Sequence, residues 1–330
     1  KRGLLQDGVQ LYHGLSNELP IGLHRTGIRS VVTIHDLIFL HYPQYYHWLD
    51  RKIYNYKFRY ACRKANRIVA VSECTKRDIV KFYGISPDKI DVVYQGCDPV
   101  FAKPVAAGEK ERVRQAYGLP DHFILSVGTI EERKNLLLAV KAIERLGDVH
   151  LVAVGKCTPY AEKVKAYVEA HRLSDRVHII HNLKFGDLPV LYHLATAFVY
   201  PSRFEGFGIP IVEALSAGVP VIAATGSCLE EAGGPHSIYV GPDDVAGMAD
   251  AMKRVMSDEK LRHEMIEQGK AYVVRFDPKR LADEMNAVYL KCFDDNASGE
   301  ERFVQTSSNM RKKISVSYTH LRAHETGRNL

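Results

Sequence analysis

The segment YPSRFEGFGIPIVEALSAGVPVIAA, residues 200–224, contains a complete strand–helix–strand pattern. A β-branched run ends at Tyr200, and a loop with two glycines follows. Pro210 lies in the first turn of a short helix, where its missing N–H does little harm. Gly218 ends that helix, and a second apolar run begins after Pro220. The segment therefore predicts two parallel strands joined by a helix.

The same alternation extends over most of the chain. Short β-branched runs, from VVTI (31–34) to SIYV (237–240), alternate with amphipathic segments of helical length. This alternation is typical of βαβ units and parallel sheets. Because 330 residues exceed one typical domain of about 150, we predict an α/β protein with two parallel sheets, each covered by helices.

A linker is predicted between the two sheets. The stretch DPVFAKPVAAGEKERVRQAYGLP (98–120) contains three prolines, a run of small residues and one short charged helix. Such a composition is typical of an interdomain connection. The expected divisions are a first domain over 1–103, a linker over 104–120, a second domain over 121–275, a helix over 276–293 and a tail over 294–330.

Both ends of the chain depart from this pattern. The first half has about three predicted strands and begins in mid-element, so we expect that an N-terminal part of the first domain is missing. After residue 293 the apolar periodicity is lost, and the composition predicts a disordered tail. Its last residues, SVSYTHLRAHETGRNL, resemble translated sequencing adapter, which makes part of the tail an expected artefact. A natural basic tail is the alternative.

Composition excludes several functional classes. The formal net charge of +6 is too small to predict a nucleic-acid partner. The six cysteines form no C-x-x-C pair, which disfavours a zinc site or a disulfide framework and favours a cytoplasmic protein. No apolar run reaches the roughly 18 residues of a membrane span. No G-x-G-x-x-G follows a predicted strand, which disfavours a dehydrogenase.

The loop and helix after Tyr200 predict an anion site with a carboxylate on each side. The N–H groups of Phe207, Gly208 and Ile209 lie at a helix N-terminus, which suits a phosphate. Gly206 and Gly208 would let the backbone approach that phosphate closely. Glu205 and Glu213 would repel a phosphate, so we expect them to accept hydrogen bonds from sugar hydroxyls. Alternatively, both are acidic residues favoured by the helix dipole.

A second segment predicts a pair of phosphate-binding cations. In FILSVGTIEERKNLLLAVKAI (123–143) a strand runs into Gly128, and Arg133 and Lys134 then precede an amphipathic helix. Ligands bind at the carboxyl ends of parallel strands, so adjacent cations at this position suit a diphosphate. An exposed Arg-Lys pair can also be an ordinary solvated surface.

With these segments the chain resembles the retaining nucleotide-sugar glycosyltransferases of family 4, which have two facing Rossmann-like domains (the GT-B fold). The resemblance covers about residues 9–293 and is nearest to the mannosyltransferase-like branch of bacterial surface-polysaccharide assembly. Glu205 and Glu213, with seven residues between them in FEGFGIPIVEAL, are its most specific feature. VVTIHD (31–36), VSECTKRDI (71–79), DVVYQGCDPVF (91–101) and VGTIEERKN (127–135) support it.

The resemblance implies a role for individual residues of the second domain. Glu205 would hold hydroxyls of the donor sugar, and Glu213 would hold the ribose hydroxyls. Arg133 and Lys134 would neutralise the donor diphosphate, whose oxygens the amides of Phe207, Gly208 and Ile209 would bind. Leu183, in HNLKFGDL, would contact the base through backbone groups. The helix over 276–293 would cross back to the first domain.

The resemblance also implies how the first domain takes part. His35, at the end of the VVTIHD strand, would face the sugar across the cleft; otherwise it is a core histidine. The family's N-terminal glycine-rich loop has no counterpart in this sequence. A chain without that loop is expected to bind a nucleoside diphosphate but to transfer sugar poorly.

The implied reaction moves a hexose, for which mannose is the best assignment, from a GDP- or UDP-linked sugar to a glycan or lipid-linked acceptor. The chain contains no Asp-x-Asp, so we expect no metal and no cofactor, with Arg133 and Lys134 taking the metal's place. Two alternatives stay open: a nucleotide-sugar 2-epimerase, which shares the fold, and a non-catalytic nucleotide-sugar-binding subunit.

One further segment has two interpretations. RKIYNYKFRYACRKANR (51–67) contains seven Lys/Arg, four aromatic residues and no acid. It is either a surface helix of the first domain with inward-packed aromatics or an interfacial membrane helix, which would suit a lipid-linked acceptor. The expected location is the bacterial cytoplasm, with peripheral contact to the inner face of the membrane under the second interpretation.

Overall fold

The structure is a computed structural model that describes residues 2–294. Within these residues it contains one sheet of four strands and one of six. Every strand pair in both sheets is parallel. The predicted α/β class with two helix-covered parallel sheets is confirmed.

The first sheet is built from the N-terminal third of the chain. Its strands are β1 (Leu11–Gly14), β2 (Arg29–Ile34), β3 (Arg67–Ala70) and β4 (Ile90–Val92). They lie in the order β1-β2-β3-β4. The helices of this half are α1 (Arg2–Gln6), α2 (Ile38–His41), α3 (Trp48–Lys64) and α4 (Glu73–Tyr83).

The strand β1 corrects the sequence-based count of about three strands in this half. It pairs with β2 in parallel register, with Leu11 opposite Arg29. Its sequence, LYHG, has no β-branched residue, and its first three residues are only half-buried at the edge of the sheet. An edge strand of this kind lacks the continuous apolar run that marks a buried parallel strand.

The second sheet follows and contains six strands, most of whose residues are buried. They are β5 (Phe123–Val127), β6 (His150–Val154), β7 (Val177–Ile180), β8 (Ala197–Tyr200), β9 (Val221–Ala224) and β10 (Ile238–Val240). The helices are α5 (Ala107–Tyr117), α6 (Leu136–Glu144), α7 (Pro159–Ala170), α8 (Leu188–Leu194), α9 (Ile209–Ser216), α10 (Leu229–Gly233), α11 (Val245–Ser257), α12 (Glu259–Val273) and α13 (Pro278–Asp294).

The strand order of the second sheet, β10-β9-β8-β5-β6-β7, determines where a ligand can bind. The chain builds outward from β5 to β7, returns to place β8 beside β5, and then builds outward in the opposite direction. This is the doubly wound order with its reversal between β5 and β8. In such sheets ligands bind outside the carboxyl ends of the strands at the reversal.

Both faces of the second sheet are covered. Leu125 of β5 packs in the apolar cluster that includes Leu191 of α8 and Leu215 of α9. The preceding Ile124 packs on the other face with Val140 of α6 and other residues. Because successive strand side chains point to opposite faces, burial on both faces explains why the whole of FILSV is apolar or small.

The stretch predicted as a linker contains a packed helix. Val113 of α5 is fully buried against the second sheet's apolar cluster. Arg112 donates a hydrogen bond to Asp187 (2.6 Å), as does the hydroxyl of Tyr117 (2.8 Å). The segment between the two sheets therefore contributes to the packing of the second half.

The helix α13 packs on the first sheet although it follows the second in sequence. Leu281, Val288 and Cys292 form an apolar cluster with Val31 of β2 and Val69 of β3. The hydroxyl of Tyr289 and Nδ1 of His13 on β1 are 2.8 Å apart. The opposite face of this sheet is covered by α3 and α4.

Two further expectations from the sequence concern the tail of the chain and the absence of a membrane-spanning segment. The tail predicted over 294–330 lies outside the described residues, apart from Asp294, with which α13 ends. From residue 2 to residue 294, no helix is both long enough and apolar enough to cross a bilayer.

The packing of α13 predicts unequal effects of two leucine substitutions on that helix. Leu281→Ala should lower the free energy of unfolding by about 2–3 kcal/mol, because it leaves a cavity against the first sheet. Leu290→Ala, on the exposed side of α13, should change it by less than about 0.5 kcal/mol. Urea unfolding of both variants measures the difference, and equal losses would contradict this placement of α13.

Candidate functional site

The two loops at the reversal between β5 and β8 are joined by hydrogen bonds. The loop after β5 contains a 3₁₀ turn over Glu132–Lys134, which ends at Asn135 in the left-handed conformation (φ 56°). The Asn135 side chain donates to the carbonyl of Pro201 in the loop after β8 (3.2 Å). The backbone N–H of Arg203 donates to the carbonyl of Arg133 (2.9 Å). The two loops therefore form one unit.

Glu205 lies at the centre of this unit. Its Oε2 is 2.8 Å from Nη1 of Arg133, and its Oε1 is 2.6 Å from Nζ of Lys134. The Glu205 side chain is 12% exposed. Three residues predicted as donor contacts from separate motifs thus form a single ion-pair cluster.

Two neighbouring hydroxyls complete the hydrogen bonding of Glu205. The hydroxyls of Ser202 and Tyr200 donate to Oε1 at 2.7 and 3.1 Å. Lys134 also donates to the Tyr200 hydroxyl (2.6 Å). The sequence analysis did not identify these two residues, although both stand in the YPSRFEG segment that carries Glu205.

The charges in the cluster hold each other in the ionised form. Burial alone would raise the pKa of the Glu205 carboxyl, but Lys134 and Arg133 outweigh it and lower that pKa from 4.5 to about 2. Burial opposes the charge of Arg133, yet Glu205 and Glu131 raise its pKa above the usual value. Glu131 pairs with Nη2 of Arg133 at 2.6 Å. The positive charges of Arg133 and Lys134 are therefore balanced by the negative charges of Glu205 and Glu131.

Glu213 occupies a different position from Glu205. It lies in the second turn of α9 and is only 5% exposed. Its Oε2 accepts a hydrogen bond from the hydroxyl of Tyr192 on α8 (2.8 Å). Its expected contact with ribose hydroxyls stays a prediction, and Tyr192 is a positioning partner that the sequence analysis did not identify.

The amides of Phe207, Gly208 and Ile209 lie at the start of α9. Gly208 is the N-cap residue of that helix, and its carbonyl accepts from the N–H of Ile211 (2.9 Å). The first N–H groups of an α-helix have no acceptor within the helix. This position is compatible with the predicted contact to diphosphate oxygens, which stays a prediction.

The two glycines of this loop lie in close contact with other protein atoms. A Cβ atom added to Gly206 would lie 2.0 Å from the carbonyl oxygen of His35 in the first half. One added to Gly208 would lie 2.9 Å from Cβ of Ala232 on α10. Both glycines are therefore required for close contact with protein atoms, and their close approach to a phosphate stays a prediction.

His35 follows β2 and contributes the first half's side of the contact with Gly206. Its Nε2 is 2.8 Å from the carbonyl oxygen of Leu15, and its Nδ1 is 3.4 Å from the side-chain amide nitrogen of Gln95. Both ring nitrogens are therefore bonded within its own half. The predicted contact of His35 with the sugar stays a prediction, in which a hydroxyl would replace one of these partners.

Leu183 follows β7 at the edge of the second sheet. Its side chain is buried in the apolar cluster that covers this sheet. The N–H of the next residue, Lys184, donates to the hydroxyl of Tyr117 (3.1 Å). Contact of Leu183 with the base through backbone groups stays a prediction.

Two sets of hydrogen bonds join the halves beside the cluster. The hydroxyl of Ser72, which precedes α4, donates to the carbonyl of Gly206 (2.7 Å). The carboxylate of Glu231 on α10 accepts from the N–H groups of Glu73 and Cys74 at 2.7 and 2.8 Å. Glu231 thus caps the N-terminus of α4, a contact for which the sequence contains no recognisable signal.

Comparison with known proteins identifies the class. The model of the glycosyl transferases group 1 matches residues 109–272, and that of glycosyltransferase family 4 matches residues 9–101. The fold is similar to that of sucrose-phosphate synthase from Thermosynechococcus elongatus, with a TM-score of 0.75, 22% identity, and coverage of 89% of this chain and 76% of that one. Both halves therefore have the architecture of GT-B glycosyltransferases.

The relatives of this chain include bacterial mannosyltransferases. The O-antigen chain mannosyltransferase RfbU of Salmonella typhimurium is 29% identical over 249 residues, which cover 75% of this chain and 65% of the relative. The O-antigen chain mannosyltransferase B of Escherichia coli is 29% identical over 273 residues, with coverages of 81% and 70%. The chain thus contains glycosyltransferase domains of the group 1 and family 4 types, and it spans about two thirds of the length of these two relatives.

A third comparison concerns a structure with a nucleotide. Anabaena HepE, in complex with UDP and glucose, has a TM-score of 0.69 and 19% identity, and the match covers 79% of this chain and 71% of that one.

Among the described residues of the present chain, no group of three or more His, Cys, Asp or Glu side chains is placed to hold a metal ion.

The close backbone contact at Gly206 predicts that Gly206→Ala separates the halves. The added Cβ would lie 2.0 Å from the His35 carbonyl oxygen, so one backbone must move. The amides of Glu73 and Cys74 should then lose their Glu231 acceptor and exchange faster with deuterium. The control is Gly108→Ala, where an added Cβ meets nothing within 4 Å. Unchanged exchange in Gly206→Ala would contradict this role of the contact.

Proposed function

We propose that this protein is a retaining glycosyltransferase that moves mannose from a nucleotide-diphosphate sugar to a glycan or lipid-linked acceptor in bacterial polysaccharide synthesis. The observation that carries the proposal is the cluster of Glu205, Arg133 and Lys134 at the reversal between β5 and β8. The names of the two O-antigen relatives support mannose as the transferred sugar.

The cluster supplies the charges that this reaction needs. When the bond between the anomeric carbon and the phosphate oxygen breaks, positive charge develops on the sugar and negative charge on the leaving diphosphate. Arg133 and Lys134 stabilise the diphosphate, and one preorganised donor of this kind is typically worth about 3–4 kcal/mol. The acceptor oxygen forms the new bond on the same face, and its proton passes to the leaving phosphate. No separate base residue is required.

Donor binding exchanges the partners of the two cations. In the structure Glu205 occupies both Arg133 and Lys134. A diphosphate carries more negative charge than one carboxylate and competes for the same N–H groups. As it takes them, the oxygens of Glu205 become acceptors for the sugar hydroxyls. This exchange would explain why a single carboxylate, that of Glu205, lies between the two cations that bind the diphosphate.

The base of the donor nucleotide, guanine or uracil, is still to be identified. The HepE complex contains UDP, and at 19% identity it supports the fold but not the base. Calorimetry with GDP and with UDP, followed by hydrolysis of the matching sugars, identifies the donor. Release of an epimerised sugar would favour the 2-epimerase alternative. Nucleotide binding without hydrolysis or transfer of any of these sugars would favour the binding-subunit alternative.

Glu205→Ala should strongly reduce transfer while the protein stays folded. Loss of the carboxylate removes the acceptor for the sugar hydroxyls, and hydrogen bonds to charged groups are worth about 1.5–3 kcal/mol, so turnover should fall at least tenfold. The control is Glu264→Ala, an exposed residue of α12. Turnover, binding of the nucleoside diphosphate and melting are measured together. Near-normal turnover of Glu205→Ala would refute the donor-site assignment.

We further propose that transfer needs no metal ion, because Arg133 and Lys134 stand where a metal would neutralise the diphosphate. Turnover should therefore be unchanged after dialysis against EDTA. Lys134→Ala should lose turnover, and added magnesium should not restore it. A loss of wild-type turnover on chelation, with recovery in magnesium or manganese, would show that the cations are insufficient.

A further inference from the structure

A cavity of about 220 Å³ lies beside the ion-pair cluster of Glu205. Glu132 and Arg203 contribute to its wall. In the two loops that carry the cluster, Glu132 directly precedes Arg133, and Arg203 stands two residues before Glu205. The cavity is therefore built on the same loops as the proposed donor site, but from different side chains.

The loops around this cavity are bonded to one another. The side chain of Asn135, which precedes α6, donates to the carbonyl of Pro242 in the loop after β10 (2.8 Å). Arg203, in the loop after β8, pairs with Asp243 of that same loop after β10 (2.6 Å). Three loops at the carboxyl edge of the second sheet are thereby held in place around the cavity.

Tyr160, in the first turn of α7, supplies a hydrogen-bond donor to the cavity. Its hydroxyl oxygen accepts from the N–H of Leu137 in the first turn of α6 (3.4 Å). Burial raises the pKa of Tyr160, so the hydroxyl keeps its proton and can donate it to a ligand. One turn further along α7, Nζ of Lys163 lies 6.0 Å from the centroid of the Tyr160 ring.

The lining of the cavity combines apolar groups with groups of both charges. Leu137 and Val245 contribute apolar side chains. The charged side chains are two carboxylates and three cations, from Glu132, Asp243, Lys141, Lys163 and Arg203. A sugar unit matches such a lining, because its C–H groups contact apolar surface while its hydroxyls both donate and accept hydrogen bonds.

An aromatic pair of the first half stands near this cavity. The rings of Tyr42 and Tyr45 are stacked with their centroids 5.6 Å apart, and the Tyr42 ring lies 5.9 Å from that of Phe204. Phe204 directly follows Arg203 of the cavity wall. Burial, and then the nearby Glu132 carboxylate, raise the pKa of Tyr45. A ligand that extends from the cavity into the cleft would therefore meet Tyr45.

We propose that this cavity binds one sugar unit of an oligosaccharide acceptor, a unit other than the one that receives the transferred sugar. The proposal rests on the proposed function, since it assigns a glycan chain as the acceptor. Pockets that enclose drug-sized ligands measure about 300–1,000 Å³, so this smaller cavity suits a single unit. The rest of the chain would pass Tyr45 and enter the cleft beside Glu205.

The charges of the cavity favour a sugar over a second phosphate. Asp243 and Glu132 both line it, so a phosphate would approach two carboxylates. A neutral sugar can accept hydrogen bonds from Lys163 and Tyr160 and donate hydrogen bonds to the carboxylates. A ligand with hydroxyl groups therefore satisfies both kinds of charge at once.

The test is calorimetric titration of the full 330-residue chain with manno-, gluco- and galacto-tetrasaccharides and with the corresponding monosaccharides. At least one tetrasaccharide should bind about tenfold more tightly than its monosaccharide, because a second linked unit adds contacts. The variant Tyr160→Phe/Lys163→Met should bind that tetrasaccharide about tenfold more weakly. Arg203→Gln, in a different segment of the wall, should weaken the binding in the same direction.

The matched control makes the same two substitutions elsewhere on α7. Tyr167→Phe/Lys165→Met removes a hydroxyl that donates to Glu144 and an exposed lysine, and neither residue belongs to the cavity lining. This variant should bind the tetrasaccharide as the wild type does. Melting curves establish that each variant is folded.

Three outcomes would overturn the proposal. They are no preference of the wild type for any tetrasaccharide, equal affinities of the cavity variants and the control, and loss of inorganic phosphate binding in the cavity variants with unchanged tetrasaccharide binding. Sugar transfer by the same samples is measured separately. Absence of transfer in a wild type that shows the expected tetrasaccharide binding would count against the proposed function and not against this site.

Discussion

The ion pairs of Glu205 with Arg133 and Lys134 hold together the two loops on which the candidate site is built. The doubly wound strand order places both loops at the same edge of the sheet, where two adjacent cations would repel each other without a shared carboxylate. Removing charged groups from water offsets much of the attraction between them, so a buried ion pair adds little stability. Its effect here is positional, because it fixes the side chains of Arg133 and Lys134, which we propose bind the diphosphate, at the reversal of the sheet.

All six strands of the second sheet and three of the four strands of the first were predictable to within about two residues, whereas β1 was missed. Strands such as FILSV and AFVY are buried on both faces, so their sequences are continuous apolar runs. β1 lies at an edge, is only half-buried along most of its length, and lacks such a run. The predicted strand pattern therefore reflects burial, and it is least informative for edge strands.

The candidate site was predictable as a set of residues but not as a set of contacts. Sequence motifs placed Arg133, Lys134 and Glu205 near a diphosphate and a sugar, yet their mutual pairing depends on how two distant loops meet. The same holds for Gly206, whose missing side chain admits the His35 carbonyl, and for the cap that Glu231 forms on α4. Contacts between distant segments leave no periodic pattern in a single sequence.

The loop after β8 connects donor chemistry to the contact between the halves. Arg133 donates to the carbonyl of Phe204 (2.7 Å) as well as pairing with Glu205. Two residues further on, the carbonyl of Gly206 accepts from Ser72 of the first half. A ligand that draws Arg133 away from Glu205 therefore acts on the segment that touches the opposite wall. Since packed contacts of this kind shift as units rather than deform continuously, the proposed donor binding would be coupled to the contact between the halves through the three consecutive residues 204–206.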